Sequence, residues 1–516
     1  MRSISSPRLA ARWLCGIAAF ACGHAPGLEP SASAGSSSAG LGGTGTASGG
    51  TSSGGQASGG SELSSSGGTS SLGGGAQQSG GVASSGSSSG GASGGIGASG
   101  GVSAMGCPRA CGPSYEQFFD EKKLATLRVK LPGAPPVFQT SGHCKPFSWV
   151  AAQMVYESPD ALGNVTLENV GFRWRGSRTQ IVQGFKLDLQ VLDTPGPAGK
   201  RRFADLNRVN ILSNEDDHTH ILQCVGYKAL RDFGVPAPRC NLVKVYLNDQ
   251  YYGLLENVEQ VNRGFLRRHF GTNSGSLYGA SMSNDGGTKS GSTCTGAFQD
   301  SQARLGYIDD KFSSYMSQYQ LTSATAADAE QNLIPMLKCG ATANDADFQT
   351  CISQWLDVTE WLKVIAAESV MPELQSFVGY YRNYYLYFKA DSSSPNQGRF
   401  VVWPWDLDTS FNQESCSPSS CDPLTAVDSL YRASRAKLVT RLTTVFRSEY
   451  CTQLKAFLAD VFKPSLVEEL AKTAEPGMAN DPTDNTAAWQ TAVSALTSYI
   501  PTRAAAAQIS INTICQ

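Results

Sequence analysis

The sequence NYYLYFKADSSSPNQGRFVVWPWDLD, residues 383–408, decides how this chain is interpreted. Its first part is rich in aromatic residues that favour a β-strand, a polar turn follows at 391–398, and a second apolar run leads into Trp405. This pattern predicts an antiparallel β-hairpin. Pairing the two strands brings Asn383, at the start of the first, beside Asp406, at the end of the second.

Oxygen-bearing side chains at the end of this hairpin have the chemistry of a magnesium site. Asp408 lies two residues beyond Asp406 and points the same way if the backbone stays extended. Proteins commonly hold Mg²⁺ with one or two carboxylates together with substrate phosphates. We therefore expect Asp406, Asp408 and Asn383 to bind a metal ion. Two alternatives remain open: an ordinary hairpin that ends in a polar turn, and a turn that calcium stabilises through Asp406 and Asp408.

Several motifs occur in the order found in the spore-coat protein H (CotH) kinase-like family. The family pattern N-Y-x-L-Y followed by P-W-D-x-D matches this chain, as do two upstream motifs, one of them a strand-turn-strand unit. The matching stretches are 383–387, 404–408, 175–176 with 185–187, and 245–266. Together the motifs extend over most of the chain from residue 120 to residue 510. The chain therefore resembles the CotH kinase-like family.

This resemblance implies a divergent protein-kinase-like fold that binds ATP together with a divalent metal, Mg²⁺. The metal ligands that it implies are Asp406, Asn383 and Asp408. It also implies that Lys186 and Arg175 contact phosphate, with Glu259 as an ion-pair partner of Lys186. The alternative is that Lys186 and Glu259 are ordinary charges on strand surfaces.

The chain departs from the family pattern where the catalytic base is expected. The family has an aspartate at the position of Gln375, and a glutamine side chain cannot accept a proton as a base. Glu373 is two residues away and is the candidate substitute. Gln183 and Asn262 also replace residues of the family pattern. Two functions are therefore open: an atypical protein kinase that transfers phosphoryl groups to a surface or secreted protein, and an impaired pseudokinase that acts as a tethered surface-binding or adhesion module.

The N-terminus has the features of an export signal. Arg2 and Arg8 supply positive charge, and residues 13–21 form an apolar run too short to span a bilayer. The segment AFACG, residues 19–23, resembles a loose lipobox with Cys22 as the lipidated residue. An ordinary signal peptide cut nearby is the alternative. We expect export to the cell envelope, as a periplasmic or outer-surface protein, with lipid anchoring through Cys22 and residues 1–22 as the signal peptide.

Composition divides the rest of the chain. Residues 23–112 are a Gly/Ser-rich linker that cannot bury enough apolar surface to fold, so we expect a disordered tether. Twelve cysteines follow the two in the signal region, an even number that suits disulfides in an oxidising compartment. Candidate local pairs are Cys107 with Cys111, Cys339 with Cys351, and Cys416 with Cys421. A zinc site built from the first and third pairs is the less favoured alternative.

Strands precede helices in the folded part, which predicts an α+β, two-lobed domain: a strand-rich lobe at 113–300 and a helical lobe at 301–516. Further strands are expected at 124–131, 165–174 and 185–191, with a hairpin at 242–255. The last helix is expected at 487–509 with a break at Pro501.

Charge and motif content narrow the function classes. The net charge of −2 and the lack of a basic stripe predict no nucleic-acid partner. No Walker loop or nucleophile elbow occurs in the sequence. His218 and His220 beside Asp216 and Asp217 are a second candidate metal cluster. The interpretation that we favour for this cluster is a solvated helix N-terminus.

Overall fold

The structure, a computed structural model, describes these parts of the chain: 110–136, 148–160, 164–175, 181–194, 200–214, 217–280, 288–290, 293–295, 303–342, 344–373, 378–379, 381–411 and 437–516. The predicted signal peptide, Cys22 and almost all of the predicted linker lie outside them. So do Asp216, Gln375, Cys107, Cys416 and Cys421.

Strands dominate the first half of the described chain. They are β1 (Ala110–Cys111), β2 (Ala125–Lys130), β3 (Val150–Glu157), β4 (Asn164–Trp174), β5 (Phe185–Asp188), β6 (Arg202–Phe203), β7 (Arg208–Leu212), β8 (Cys240–Leu247) and β9 (Gln250–Val258). A short helix, α1 (Tyr115–Phe118), precedes β2. The predicted strands and the predicted hairpin are confirmed, although β5 is shorter than expected. β1 pairs with β6 and falls within the last residues of the predicted linker.

Seven of these strands close into a barrel in the order β2, β3, β4, β5, β7, β9, β8. Neighbouring strands are antiparallel except at the closing pair, where β2 runs parallel to β8. The turn between β8 and β9 has positive φ at both Asn248 and Asp249 (50° and 64°), a conformation that these residue types tolerate and that suits a tight hairpin. A closed barrel was not predicted.

A second, antiparallel sheet contains the hairpin of residues 383–408. Its strands, in spatial order, are β13 (Tyr319–Leu321), β10 (Ser276–Ala280), β14 (Tyr384–Ala390) and β15 (Gly398–Pro404). Two further short strands, β11 (Thr288–Ser290) and β12 (Thr293–Thr295), pair with each other. The second sheet thus takes one strand from before residue 300 and three from after it.

Helices make up most of the remainder. They are α2 (Leu222–Asp232), α3 (Arg263–Phe270), α4 (Ala326–Asp328), α5 (Ile334–Gly340), α6 (Asp345–Trp355), α7 (Val358–Val370), α8 (Lys437–Val445), α9 (Arg447–Ala456), α10 (Ser465–Ala474) and α11 (Thr486–Ile514). The α+β class is confirmed, whereas the division into two kinase-like lobes stays a prediction. All the described residues belong to one compact unit, Gly97–Gln516.

The predicted break at Pro501 is wrong, because α11 runs through it as one helix of 29 residues. A proline inside a helix costs a backbone hydrogen bond, but packing around this point is dense. Ile500 is fully buried, and so is Arg503. The guanidinium of Arg503 donates to the carbonyls of Ser369 (2.8 Å) and Val370 (3.1 Å) at the C-terminal end of α7. Tertiary contacts therefore keep the helix continuous through a proline that local propensity predicts to end it.

Two apolar clusters form the core. One fills the barrel with inward side chains such as Leu127, Phe172 and Phe185. The other joins the helices to the second sheet and includes Trp361 and Trp403, which are both fully buried. Burial of side chains of this size contributes about 1.5–3 kcal/mol each relative to exposure. The second cluster thereby fixes the sheet that carries the hairpin.

Three disulfides link described cysteines: Cys224–Cys240, Cys339–Cys351 and Cys451–Cys515. The predicted Cys339–Cys351 bridge is confirmed. The other two connect cysteines 16 and 64 residues apart, which spacing alone could not pair. No helix in the described parts of the chain is long and apolar enough to cross a membrane.

Candidate functional site

The end of the β14–β15 hairpin brings an amide and a carboxylate together, as the sequence predicts. Tyr384 pairs with Pro404, so the flanking residues Asn383 and Trp405 also face each other. The Trp405 N–H donates to the Asn383 carbonyl at 2.6 Å. The side-chain nitrogen of Asn383 lies 3.5 Å from an Asp406 carboxylate oxygen. The predicted antiparallel pairing and its polar end are confirmed.

Both residues of this pair have a left-handed backbone conformation. φ is +51° at Asn383 and +61° at Asp406. Side chains other than glycine rarely adopt such values, although Asn and Asp tolerate them better than most. The two flanking positions of one hairpin therefore both carry local strain, a feature that clusters at functional sites.

Helix α2 contacts the backbone of Asp406 and fixes its position. The Asp406 N–H donates to the hydroxyl of Tyr227 at 3.0 Å, and Tyr227 is fully buried. One residue earlier, Gly226 lets the chain after Asp406 approach, because an added Cβ there would lie 2.9 Å from Leu407 Cδ1. Asp406 is thus held by two contacts, one with Asn383 of the hairpin and one with Tyr227 of α2.

The charge of Asp406 is poorly solvated where it lies. Burial raises the pKa of this carboxyl, and the positive charge of Arg175 offsets part of that rise. The Arg175 guanidinium stands 5.4 Å from the ring centroid of Trp405 and also donates to Asn210. A desolvated carboxylate with one nearby cation is an environment that a divalent metal ion would stabilise.

The outer face of the barrel carries basic side chains near the hairpin end that contains Asn383 and Asp406. Inward residues of β4 and β5 are apolar, so Arg173 and Lys186 face outward, and they are directly opposite each other in the β4–β5 register. Like charges in such a cross-strand pair repel. Arg175 follows two residues after Arg173, on the same face. Arg208 of β7 lies on the neighbouring strand, where it pairs with Asp188 at 2.6 Å. This face of the sheet is suited to an anion.

These residues line one cleft of about 670 Å³, within the range of ligand pockets in proteins. Nine basic and two acidic side chains line it. The barrel supplies four of the basic groups, and α3 with the segment before β7 supplies the others: Lys200, Arg202, Arg263, Arg267 and Arg268. Aromatic surface comes from Tyr385 and Trp405 beside the hairpin end. A carboxylate and an amide beside Arg175 and Lys186 supply the groups that a metal–polyphosphate complex needs.

Four of the predicted site residues meet in this cleft: Asn383, Asp406, Arg175 and Lys186. Asp408 is partly exposed but is not among the residues that line it. Gln375 lies outside the described residues. Asn383 and Asp406 can supply oxygen ligands to Mg²⁺ from one side, with phosphate and water completing the shell. The donor set present therefore fits the predicted metal.

The predicted ion pair between Lys186 and Glu259 is wrong. Glu259 is fully buried, and one carboxylate oxygen accepts from Arg268 at 2.6 Å while the other lies 3.4 Å from His269. Burial by itself raises the pKa of Glu259, but His269 and Arg268 outweigh it and hold that pKa below its ordinary value. Glu259 is therefore an internal anchor for α3, which carries both partners.

Glu373 does not occupy the position of a catalytic base. The residue is 2 % exposed, and its two carboxylate oxygens accept from the hydroxyls of Thr409 (2.5 Å) and Ser410 (2.7 Å). It does not line the cleft. The candidate substitute for the missing aspartate is thus a buried group that holds the chain after Asp406 in place.

The second candidate metal cluster is a buried network of ion pairs. His220 is 1 % exposed and its Nε2 lies 3.1 Å from Asp484 and 3.9 Å from Asp481. His218 also contacts Asp484, at 3.0 Å. Burial lowers the pKa of His220, but Asp484, Asp481 and Asp217 outweigh it and the net direction is upward. Burial raises the pKa of Asp484, and hydrogen bonds from His220 and His218 reverse that to a net decrease.

The network replaces the expected solvated helix N-terminus. Asp217 accepts from the Leu222 N–H, at the first residue of α2, at 2.8 Å, and the Trp489 indole donates to the Thr219 carbonyl at 2.9 Å. Asp481 accepts from the Leu254 N–H of β9 at 2.8 Å. This group of contacts, the histidine clamp (His220, Asp481 and Asp484), joins β9 and the start of α2 to the loop before α11.

Sequence reasoning missed most of the basic residues of the cleft. A signal for the barrel cations is present, because Arg173 and Arg175 interrupt an apolar strand at alternate positions. A signal for α3 is its composition, RGFLRRHF at 263–270, with basic and no acidic residues. Neither signal says that the two elements face one cavity. That proximity follows only from the barrel closing and α3 packing beside it.

Comparison with known proteins agrees with the motifs. No curated protein sequence matches this chain. The model of the CotH kinase protein family matches residues 172–507, which is more than half of the chain and includes β5, α2, the hairpin and all four cleft residues named above. The chain therefore belongs to the CotH kinase family.

Proposed function

We propose that this protein is an atypical, Mg²⁺- and ATP-dependent kinase that phosphorylates a surface or secreted protein. The observation that carries the proposal is the convergence of Asn383 and Asp406 with Arg175 and Lys186 in one cation-rich cleft. Family membership supports a kinase-like protein in general. In this proposal the hairpin end holds the metal, and the barrel face binds the phosphates.

Phosphoryl transfer breaks the bond between the γ-phosphorus and the oxygen that bridges it to the β-phosphate, forms a bond to an acceptor hydroxyl oxygen, and releases ADP and the hydroxyl proton. Bound Mg²⁺ would neutralise developing negative charge. Arg175 and Lys186 would orient the transferring group by charge-assisted hydrogen bonds. Tyr227, through the Asp406 backbone, keeps the carboxylate in place.

A second function is favoured by residue 375. The family places an aspartate there and this chain has Gln375, while Glu373 is buried and engaged by two hydroxyls. The chain could therefore bind nucleotide without efficient transfer and act as a tethered surface-binding module. Export, lipidation at Cys22 and a predicted two-lobed kinase-like arrangement belong to both versions of the proposal.

Transfer of ³²P from [γ-³²P]ATP separates the two functions. The full chain is incubated with Mg²⁺ and its own envelope fraction, and labelled protein is counted for the wild type, Gln375→Asp and Asp406→Asn. The kinase proposal predicts labelling by the wild type that falls at least 100-fold in Asp406→Asn. Labelling only by Gln375→Asp would identify the pseudokinase, and labelling that survives Asp406→Asn would contradict both.

A further inference from the structure

Helix α3 carries an unusual concentration of positive charge. Its sequence has three arginines and a histidine and no acidic residue. Arg263 is the first residue of the helix, where the positive end of the helix dipole disfavours a cation. Arg267 follows one turn later, and like charges at this spacing repel. Both arrangements cost stability in the free protein, so a partner that supplies negative charge would relieve them.

The basic residues of α3 divide into two classes by their contacts. Arg268 is paired inside the protein with Glu259 (2.6 Å) and Asp205 (3.6 Å). Arg263 and Arg267 are exposed, because the helix turns Phe265 and Leu266 toward the core instead. Among the described residues, Arg263 and Arg267 have no ion-pair partner, and the same holds for the exposed Lys200. All three line the cleft that contains Asp406.

These three cations are more exposed to solvent than the polar groups around the hairpin end. Asn383 is 8 % exposed, and Arg175, Lys186 and Asp406 are partly buried. The deep cations are therefore the ones near the expected phosphates. Lys200, Arg263 and Arg267 are exposed cations of the cleft lining, so they are accessible to an acceptor protein that approaches the cleft. We call these three residues the basic rim.

We propose that the basic rim binds an acidic segment of the protein acceptor, so that the enzyme prefers hydroxyls flanked by aspartate or glutamate. This inference rests on the proposed phosphotransferase function and adds a substrate class to it. Arginine recognises carboxylates with paired hydrogen bonds, and two arginines one helical turn apart suit a short acidic run. A long nucleic acid fits less well, because the chain has a net charge of −2 and only three cations form the rim.

The probes are three fluorescein-labelled peptides of equal length with one central serine, flanked by glutamates, by glutamines or by lysines. Their affinity for the full chain is measured by fluorescence anisotropy with Mg²⁺ and ATP at 0.1 M salt. The proposal predicts at least tenfold tighter binding of the glutamate peptide than of the glutamine peptide. It also predicts that this preference disappears in the rim variant Lys200→Gln, Arg263→Gln, Arg267→Gln, whose ATP affinity stays within about twofold of the wild type.

A matched control removes three exposed lysines that do not line the cleft: Lys122→Gln, Lys311→Gln, Lys472→Gln. This variant should keep the peptide preference, which excludes a general charge effect. An equal loss of ATP and peptide binding in the rim variant would assign the rim to the nucleotide and overturn the inference. Tighter binding of a single-stranded oligonucleotide than of the glutamate peptide would also overturn it. Peptide preference without any ATP binding by the wild type would support the rim and refute the kinase.

Discussion

The hairpin end and the histidine clamp are two polar clusters in the same chain, and both looked like metal sites in the sequence. In the clamp, charges satisfy one another: His220 contacts Asp484 and Asp481, and Asp481 also accepts from the backbone of β9. In the cleft, positive charge accumulates on the barrel face and on α3, and burial raises the pKa of the partly buried Asp406. The charges of the clamp pair with one another and stabilise the fold, whereas the cleft keeps a surplus of positive charge that an anionic ligand would neutralise.

The largest expected effect comes from breaking the clamp. Asp484→Asn keeps the shape of the side chain but removes the negative charge beside His220, whose ring is buried. Loss of one partner from such a pair should lower the free energy of unfolding by about 2–3 kcal/mol. Guanidinium unfolding of the full chain measures this.

The control for that prediction is Asp310→Asn, which removes an exposed carboxylate paired with Lys338 at 3.1 Å. Surface ion pairs contribute little, so we expect no measurable change. Equal stability of Asp484→Asn and the wild type would show that the clamp is not a stabilising network and would reopen it as a candidate site.

The stabilisation by the clamp should depend on pH in two directions. The folded pKa of His220 lies above its unfolded value of about 6.5, so this contribution is present below pH 6.5 and is lost as the pH rises through the folded pKa. The folded pKa of Asp484 lies below its unfolded value of about 3.9, so that contribution is present above this pH and is lost as the pH falls through the folded pKa.

The difference in unfolding free energy between the wild type and Asp484→Asn should therefore be largest between about pH 4 and 6.5. Guanidinium titrations at half-unit pH steps from 3 to 9 give the profile. His218 also contacts Asp484 but is 56 % exposed, so His218→Gln should lower the free energy of unfolding by less than Asp484→Asn does. A difference that grows steadily toward pH 9 would mean that His220 is neutral in the folded protein.

The smallest expected effect on stability belongs to the cleft. Lys186→Met removes one of two like charges that face each other across β4 and β5. Lys186 is only partly buried on a strand surface, so the free energy of unfolding should change by less than about 1 kcal/mol, while ATP binds at least tenfold more weakly. Lys130→Met, on β2 and outside the cleft lining, is the matched control and should leave ATP binding unchanged. A large loss of stability in Lys186→Met would instead assign this lysine to the fold.

The sequence predicted the hairpin and its polar end well because both depend on local information. Strand patterning and a polar turn set the β14–β15 register, and that register alone brings Asn383 to Asp406. The same local logic placed Lys186 and Arg175 on strands, and the family motifs tied them to phosphate. Those residues do line one cleft with the hairpin end.

What could not be predicted depends on contacts between distant segments. Glu259 lies in the β9–α3 region, but its partners are chosen by how α3 packs, so Arg268 takes the place expected for Lys186. Glu373 lies away from the cleft because its carboxylate accepts hydrogen bonds from the hydroxyls of Thr409 and Ser410, more than thirty residues later in the chain. The barrel closes through a parallel pair, β2 with β8, that no local pattern specifies. Helix α11 continues through Pro501 because the neighbouring Ile500 and Arg503 are buried against the rest of the protein.

The central claim is that Asp406 and Asn383 bind a magnesium–nucleotide complex in the cationic cleft. Isothermal titration of ATP into the full chain, with and without Mg²⁺, tests it most directly, using the wild type, Asp406→Asn and the clamp variant Asp484→Asn. The account predicts binding that requires Mg²⁺, that weakens at least 100-fold in Asp406→Asn and that is unchanged in Asp484→Asn under conditions where the protein is folded. No binding of millimolar ATP by the wild type, or equal binding by Asp406→Asn, would contradict it.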